Sequence, residues 1–259
     1  YKIGIDYGGT KIEGILINDK GEEILRKRSG YEKNYESGVN TIKNLVEEFD
    51  KHTNSKNSVG VGIPGSSSKE NGLIKNANSI WLNGKPFKKD LETNLDREIK
   101  IMNDANCFAL SEAIDGSGAN YSTVWGVIIG SGFGGSFVHN KRVVEGVNQV
   151  AGDWGHQPLP YPRKEEWDLN LKCPVDNCGR PLCAEQFISG IGFTSIFNKK
   201  YKTNFTTKEI VDLELNGDER AKKEFDLYED RFARLIAVMI GIVDPDVIIL
   251  GGGMSNIER

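Results

Sequence analysis

Residues 1–17, YKIGIDYGGTKIEGILI, decide the fold. Tyr1 to Asp6 alternates like a strand, Gly8-Gly9-Thr10 supplies a turn, and Ile12 to Ile17 returns beside it. A third strand is expected after the turn signal Lys20-Gly21. Val39, Ile42, Leu45, Val46 and Phe49 then recur at the spacing of an amphipathic helix. Val59 to Ile63 forms a short apolar strand, stopped by Pro64-Gly65. Leu91 to Leu95 is helical in pattern, Ile99 to Met102 is another strand, and Ala105 to Ile114 is a helix.

The second half repeats the plan. Thr123 to Ile129 and Ser136 to Asn140 flank another glycine-rich turn, and an irregular section runs from about Gln157 to Leu182. An amphipathic helix is expected from about Asp218 to Val243, with Phe225, Tyr228, Phe232, Leu235, Ile236, Met239 and Ile240 on one face. The strand Val247 to Leu250 leads into Gly251-Gly252-Gly253. Two hairpin-led halves predict a duplicated α/β fold with two lobes and a central cleft. The expected division is a smaller lobe over residues 1–118 and a larger one over 119–259. A strand and glycine turn with no helix after them is an odd end for such a lobe, so the natural chain is expected to continue past Arg259.

Composition narrows the function classes. With 259 residues, 38% hydrophobic and 27% charged, the chain suits one large soluble domain or two modest ones. Its net charge of −4 is spread without a basic block, which argues against nucleic acid. The longest apolar stretch, Phe232 to Val243, is interrupted by Arg234 and is too short for a bilayer. The chain opens on a strand without a charged leader, so a cytoplasmic location is expected. Cys173, Cys178 and Cys183 lie close together while Cys107 stands alone, and clustered thiols in a reducing cytosol suggest a metal over a bridge.

Five groups of residues carry chemistry. In Asp6-Tyr7-Gly8-Gly9-Thr10-Lys11 the bare glycines let amides approach phosphate oxygens, Thr10 and Lys11 add donors, and Asp6 can hold Mg²⁺ through water. A plain hairpin turn explains the same glycines equally well. Gly130-Ser131-Gly132-Phe133-Gly134-Gly135 matches a dinucleotide fingerprint, with Asp153 about twenty residues on. That fingerprint requires a following helix, whereas Ser136-Phe137-Val138 is strand-like, so a phosphate turn between strands is the surviving alternative. Gly251-Gly252-Gly253 can admit adenine against its backbone or merely turn the chain. Asp104, in Asn103-Asp104-Ala105-Asn106, is either a helix cap or a carboxylate at a strand's carboxyl end, placed to take a proton from a hydroxyl. His156 with Cys173, Cys178 and Cys183 makes a Cys₃His set of the kind that holds structural zinc; buried or free thiols are the alternative.

Together these residues resemble the ROK family of bacterial sugar kinases and regulators. The matching pieces run in the family's order: Asp6 to Lys11, Gly62-Ile63-Pro64-Gly65, Asn103 to Asn106, Gly130 to Gly135, Gly152 to His156, Cys178 to Glu185 and Gly251 to Gly253. The resemblance implies an actin-like (ribonuclease H-like) α/β fold and ATP-dependent phosphorylation of a hexose 6-hydroxyl. Lys75 to Gly84 and Gly251 to Asn256 look most like the fructokinase (manno-fructokinase) branch, while Asn103 to Ala113 also resembles N-acetylglucosamine kinases. Carried over, Asp104 is the general base, with Asn103 hydrogen-bonding the sugar beside it. Gly65, Asn78, Asp153, His156 and Glu185 line the sugar pocket. Asp6, Gly8, Gly9, Thr10 and Lys11, with Gly130, Ser131, Gly132 and Gly134, hold the ATP phosphates, and Gly252 and Gly253 meet the adenosine. Mg²⁺ accompanies ATP, structural Zn²⁺ sits on His156 and the three cysteines, and a homodimer is favoured.

The chain departs from the family twice. Asp153 stands where Glu is usual, and Asp176 stands where the zinc motif's first cysteine is usual, so either Cys173 or Asp176 completes the metal set. Family members also run some tens of residues past the triple glycine. A regulator of the same family would carry an N-terminal helix-turn-helix domain, for which a chain starting at the first strand has no room. A sugar binder with a dead site is disfavoured by the presence of Asp6, Lys11 and Asp104.

Overall fold

Alternating apolar residues pair the first two strands as the expected hairpin. In the computed structural model, which describes residues 1–169 and 180–258, β1 (Lys2–Tyr7) runs antiparallel to β2 (Lys11–Ile17), with Tyr7 opposite Ile12. Ile3, Ile5 and Tyr7 of β1 and Ile12 and Leu16 of β2 point into the core. β3 (Glu23–Gly30) adds to the outer side of β2. α1 (Tyr35–Thr53) begins where the Asn34 side chain accepts the Ser37 amide at 2.8 Å, and ends on Asn54 in the left-handed region. Its buried face is the predicted one: Val39, Ile42, Leu45, Val46 and Phe49.

β4 (Ser58–Ile63) returns parallel to β1. A small hairpin of β5 (Ser66–Ser67) and β6 (Ile74–Lys75) follows, then a 3-10 turn at Ile80–Leu82 and α2 (Phe87–Leu95). The apolar pattern marks only the second half of α2; buried Phe87 starts the helix earlier. β7 (Ile99–Asn103) lies parallel to β4 and completes a sheet of order β3-β2-β1-β4-β7. An ionic knot ties these junctions. Asp50, near the end of α1, accepts the Asn57 amide at 3.0 Å and pairs with the Arg97 guanidinium, which donates to the Asn57 carbonyl at 2.8 Å. Burial opposes charge on Asp50, but Arg97 and the Asn57 amide prevail and hold its carboxyl below the ordinary value.

After α3 (Asp104–Ile114) the hairpin plan recurs: β8 (Thr123–Ile129) is antiparallel to β9 (Phe133–His139), which pairs with β10 (Arg142–Val143). β9 begins at Phe133, so the expected glycine turn shrinks to Gly130–Gly132, and a strand follows it as the sequence requires. The section expected to be irregular contains α4 (Lys164–Asp168) among its described residues. Then come α5 (Glu185–Ile188), α6 (Gly190–Tyr201), α7 (Thr207–Leu215), the long α8 (Glu219–Val243) and β11 (Val247–Gly251). β11 is parallel to β8 and gives the order β10-β9-β8-β11. Each hairpin thus lends its first strand to a parallel partner. A 3-10 turn at Gly253–Asn256 follows the triple glycine.

The chain forms two compact units, Tyr1–Cys107 with Gly146–Val150, and Phe108–Glu145 with Ala151–Arg259. Among the described residues no helix is long and apolar enough to cross a membrane. The second unit pins α4 onto α8 by a buried ion group. Glu166 accepts from Arg231 at 3.0 Å and from Arg234 at 2.5 Å, and Arg234 also donates to the carbonyls of Pro160 and Tyr161.

Candidate active site

Parallel pairing brings the carboxyl ends of β1, β4 and β7 to one level, since Asp6 stands opposite Gly62 and Gly62 opposite Met102. The chain leaves β7 through Asn103 directly into α3. Asn103 caps that helix: its Oδ1 accepts the amides of Ala105 at 3.0 Å and Asn106 at 3.3 Å. The Asp104 carboxylate also accepts the Ala105 amide, at 2.8 Å. Capping is therefore shared, and Asn103 does more of it. The Asn103 amide nitrogen donates to the Gly65 carbonyl at 3.0 Å, which joins two of the predicted sugar residues directly. Gly65 has φ +84°, and a Cβ there would fall 2.5 Å from the Lys75 carbonyl oxygen, so only glycine fits.

The electrostatics of this cluster are those of crowded like charges. Asp104 remains open to solvent, yet the protein packed around it raises its pKa above the ordinary carboxylate value, and the negative charge of Asp6 adds to the rise. The Asp6 pKa is raised too, first by desolvation and then by Glu13, against a lowering from Arg28. One turn into α3, the Cys107 thiol is pushed up to about 11 by burial and by both aspartates, which makes it a poor nucleophile at neutral pH. The predicted turn after Asp6 is braced by Tyr31, whose hydroxyl donates to the Gly8 carbonyl at 2.9 Å. Asn78 is exposed on the loop 77–83, which Asn83 closes by bonding both polar groups of the Ala77 backbone at 2.9 and 3.0 Å.

In the second unit the predicted residues gather around the turn Gly130–Gly132. Gly190 donates to the Gly130 carbonyl at 2.8 Å, and the Phe133 amide donates to the Glu185 carboxylate at 3.0 Å. Glu185 is only 5% exposed, so its carboxylate serves the glycine turn as an internal brace. Gly252 has φ +90°, and a Cβ there would fall 2.5 Å from the Ile129 carbonyl oxygen, which sets the second glycine turn against the start of the first. Segments 155–159 and 182–185 run side by side: the amides of Glu185, Ala184 and Leu159 donate to Gly155, Gln157 and Leu182 respectively. This places Cys183 Sγ 3.7 Å from His156 Nδ1. Asp153 lies exposed in the preceding loop.

The Zn–N and Zn–S bond lengths of about 2.0 and 2.3 Å set two tetrahedral ligands about 3.5 Å apart, so the spacing of this imidazole–thiol pair is close to that of two zinc ligands. Cys173, Cys178 and Asp176 lie outside the described residues, and among the described residues no group of three metal-binding side chains occurs. Two supports escape sequence reasoning, Tyr31 beneath Gly8 and Asn83 closing its loop, while Glu185, expected at the sugar, also braces Phe133. Only Asn83 leaves a signal, as the last polar residue of the quoted stretch Lys75 to Gly84.

A family model for the ROK family matches residues 2–259. The N-acetyl-D-glucosamine kinase of Citrobacter koseri is 37% identical over 254 residues, spanning 98% of this chain and 84% of the relative. Among solved structures, the ROK hexokinase of Thermus thermophilus superposes with a TM-score of 0.83 at 24% identity, covering 98% of this chain and 82% of its own. A ROK family glucokinase from Streptomyces griseus, solved with glucose and AMPPNP, gives 0.78 at 22% identity over 98% and 84%. These two structural likenesses establish the actin-like α/β fold.

Proposed function

The chain belongs to the ROK family, and on that premise we propose that it transfers the γ-phosphate of ATP to the 6-hydroxyl of N-acetyl-D-glucosamine. It is an ATP-dependent sugar kinase. The acceptor moves from the expected fructose to the amino sugar because the relative at 37% identity is an N-acetyl-D-glucosamine kinase. The observation that carries the mechanism is the Gly65–Asn103–Asp104 cluster beside Asp6, at the carboxyl ends of three parallel strands.

Asp104 takes the proton from the 6-hydroxyl as that oxygen bonds to the γ-phosphorus; the bond to the β,γ-bridging oxygen breaks and ADP leaves. Its raised pKa makes it a stronger base than an ordinary aspartate. Asn103, Gly65 and Asn78 are the residues proposed for the sugar in the first unit, and Asp153, His156 and Glu185 those proposed in the second. Gly8, Gly9, Thr10 and Lys11 in the first unit and Gly130, Ser131, Gly132 and Gly134 in the second are the residues proposed for the phosphates, and Gly252-Gly253 those for the adenosine. Mg²⁺, held through water by Asp6, would neutralise charge on the phosphate oxygens. His156 and Cys183 would supply two ligands of a structural Zn²⁺, the rest coming from Cys173 or Asp176 and Cys178. Metal analysis of the purified protein checks this. About one zinc per chain is expected, lost in Cys183→Ser; equal zinc in that variant would exclude the site.

Phosphorus NMR of the product tests the reaction itself. Incubation with MgATP and N-acetylglucosamine should give a sugar 6-phosphate. Phosphate at another oxygen, or only free phosphate, would refute the assignment of the acceptor.

A further inference from the structure

Tyr7 stands between Asp6 and Gly8 in the proposed phosphate turn, yet its side chain is buried, 1% exposed. Its ring meets Tyr31 and Phe87 edge-on, at centroid distances of 5.3 and 5.5 Å. α1 makes room for it at Gly38, where a Cβ would fall 2.1 Å from the phenol oxygen. Packing alone would be served as well by phenylalanine. The hydroxyl instead accepts the Trp81 indole N–H at 3.0 Å. Trp81 belongs to the loop that Asn83 closes, the same loop that presents Asn78. Tyr31, which touches both rings, fastens the Gly8 carbonyl. One hydrogen bond therefore joins the loop assigned to the sugar with the turn assigned to the phosphates.

We propose that Trp81 and Tyr7 are positioning residues whose hydrogen bond couples sugar binding to nucleotide binding. The link rests on the assignment of Asn78 to the sugar and of Asp6 to Lys11 to the phosphates. Ordering the 77–83 loop on a sugar fixes the indole, the indole fixes the phenol, and the phenol holds the backbone between Asp6 and Gly8. Sugar then tightens nucleotide binding, and by linkage the nucleotide tightens sugar binding by the same factor.

The test is calorimetric titration of a non-hydrolysable ATP analogue with Mg²⁺, with and without saturating N-acetylglucosamine. Wild type, Trp81→Phe, Tyr7→Phe and the double variant are compared, both changes keeping a ring in place. Wild type should show coupling of about five-fold or more. Each single variant should fall below about two-fold, with no further loss in the double variant, as expected for two ends of one interaction. A merely structural role would lower melting temperature but leave the ratio intact. Wild-type coupling in either folded single variant, or no coupling in wild type, would overturn the link. Lys11→Ala and Asn78→Ala separate the premise from the inference. Unchanged nucleotide affinity in the first or unchanged sugar affinity in the second would remove the site assignment; weakened binding with persistent coupling in Trp81→Phe would remove only the link.

Discussion

Asp104 carries the proposed chemistry, and its surroundings set a measurable cost. A carboxylate whose folded pKa lies above its unfolded value binds its proton more tightly in the fold, so ionising it disfavours folding as pH rises through that interval. Asp104→Asn should therefore reduce turnover by about 10²–10⁴-fold without lowering the melting temperature at pH 7. Sugar affinity should stay within about three-fold, since the lost interaction belongs to the transition state. Near-wild-type turnover would remove Asp104 as the base. The same pKa sets the acidic limb of kcat/KM, which should fall at a pH above that of an ordinary aspartate near 3.8. Replacing Asp6 by asparagine removes one raising charge and should move that limb downward. An upward move would contradict the coupling of the two carboxylates.

At the scale of elements, short segments are held by side chains more than by their own hydrogen bonds. α4 has five residues and no capacity to persist alone. Glu166 fixes it by pairing with Arg231 and Arg234 on α8, and Arg234 extends the grip to the carbonyls that follow segment 155–159. Burial disfavours the charged Glu166, but the two guanidinium groups and the Arg163 amide hold its carboxyl below the ordinary value. Glu166→Ala leaves Arg231 buried without its carboxylate, and we expect a loss of about 3–5 kcal/mol by denaturant titration. A loss under about 1 kcal/mol would mean that the pair contributes little beyond its packing. In the first unit the Asp50–Arg97 pair behaves likewise. With its folded pKa lowered, Asp50 contributes stability above pH 3.8 that disappears as pH falls through the folded value.

Across the whole molecule, the strands and the long helices were legible from their apolar residues: β1, β2 and β4 alternate, β8 and β11 are continuous apolar runs, and α1 and α8 keep helical spacing, although Ile240 of the expected α8 face is 44% exposed. α5 to α7 were not legible. α5 is a single turn, and Gly190 and Gly192 interrupt the apolar face of α6. The glycine turns and the Asn103-Asp104 junction were visible as motifs, but their division of labour was not. That Asn103 bonds both Gly65 and the first amides of α3 depends on contacts across β4 and β7. The Trp81–Tyr7 bond spans 74 positions, a distance at which no local pattern points from one residue to the other. Relatives of known activity moved the proposed sugar away from fructose, a distinction resting on a few pocket groups that spacing does not encode. The most direct measurement is a coupled ADP-release assay with MgATP and fructose, mannose, glucose, N-acetylglucosamine and N-acetylmannosamine in turn. The highest kcat/KM is expected with N-acetylglucosamine. Highest turnover on fructose would return the specificity to the other branch, and no sugar-dependent ADP release from metal-replete protein would contradict the kinase itself.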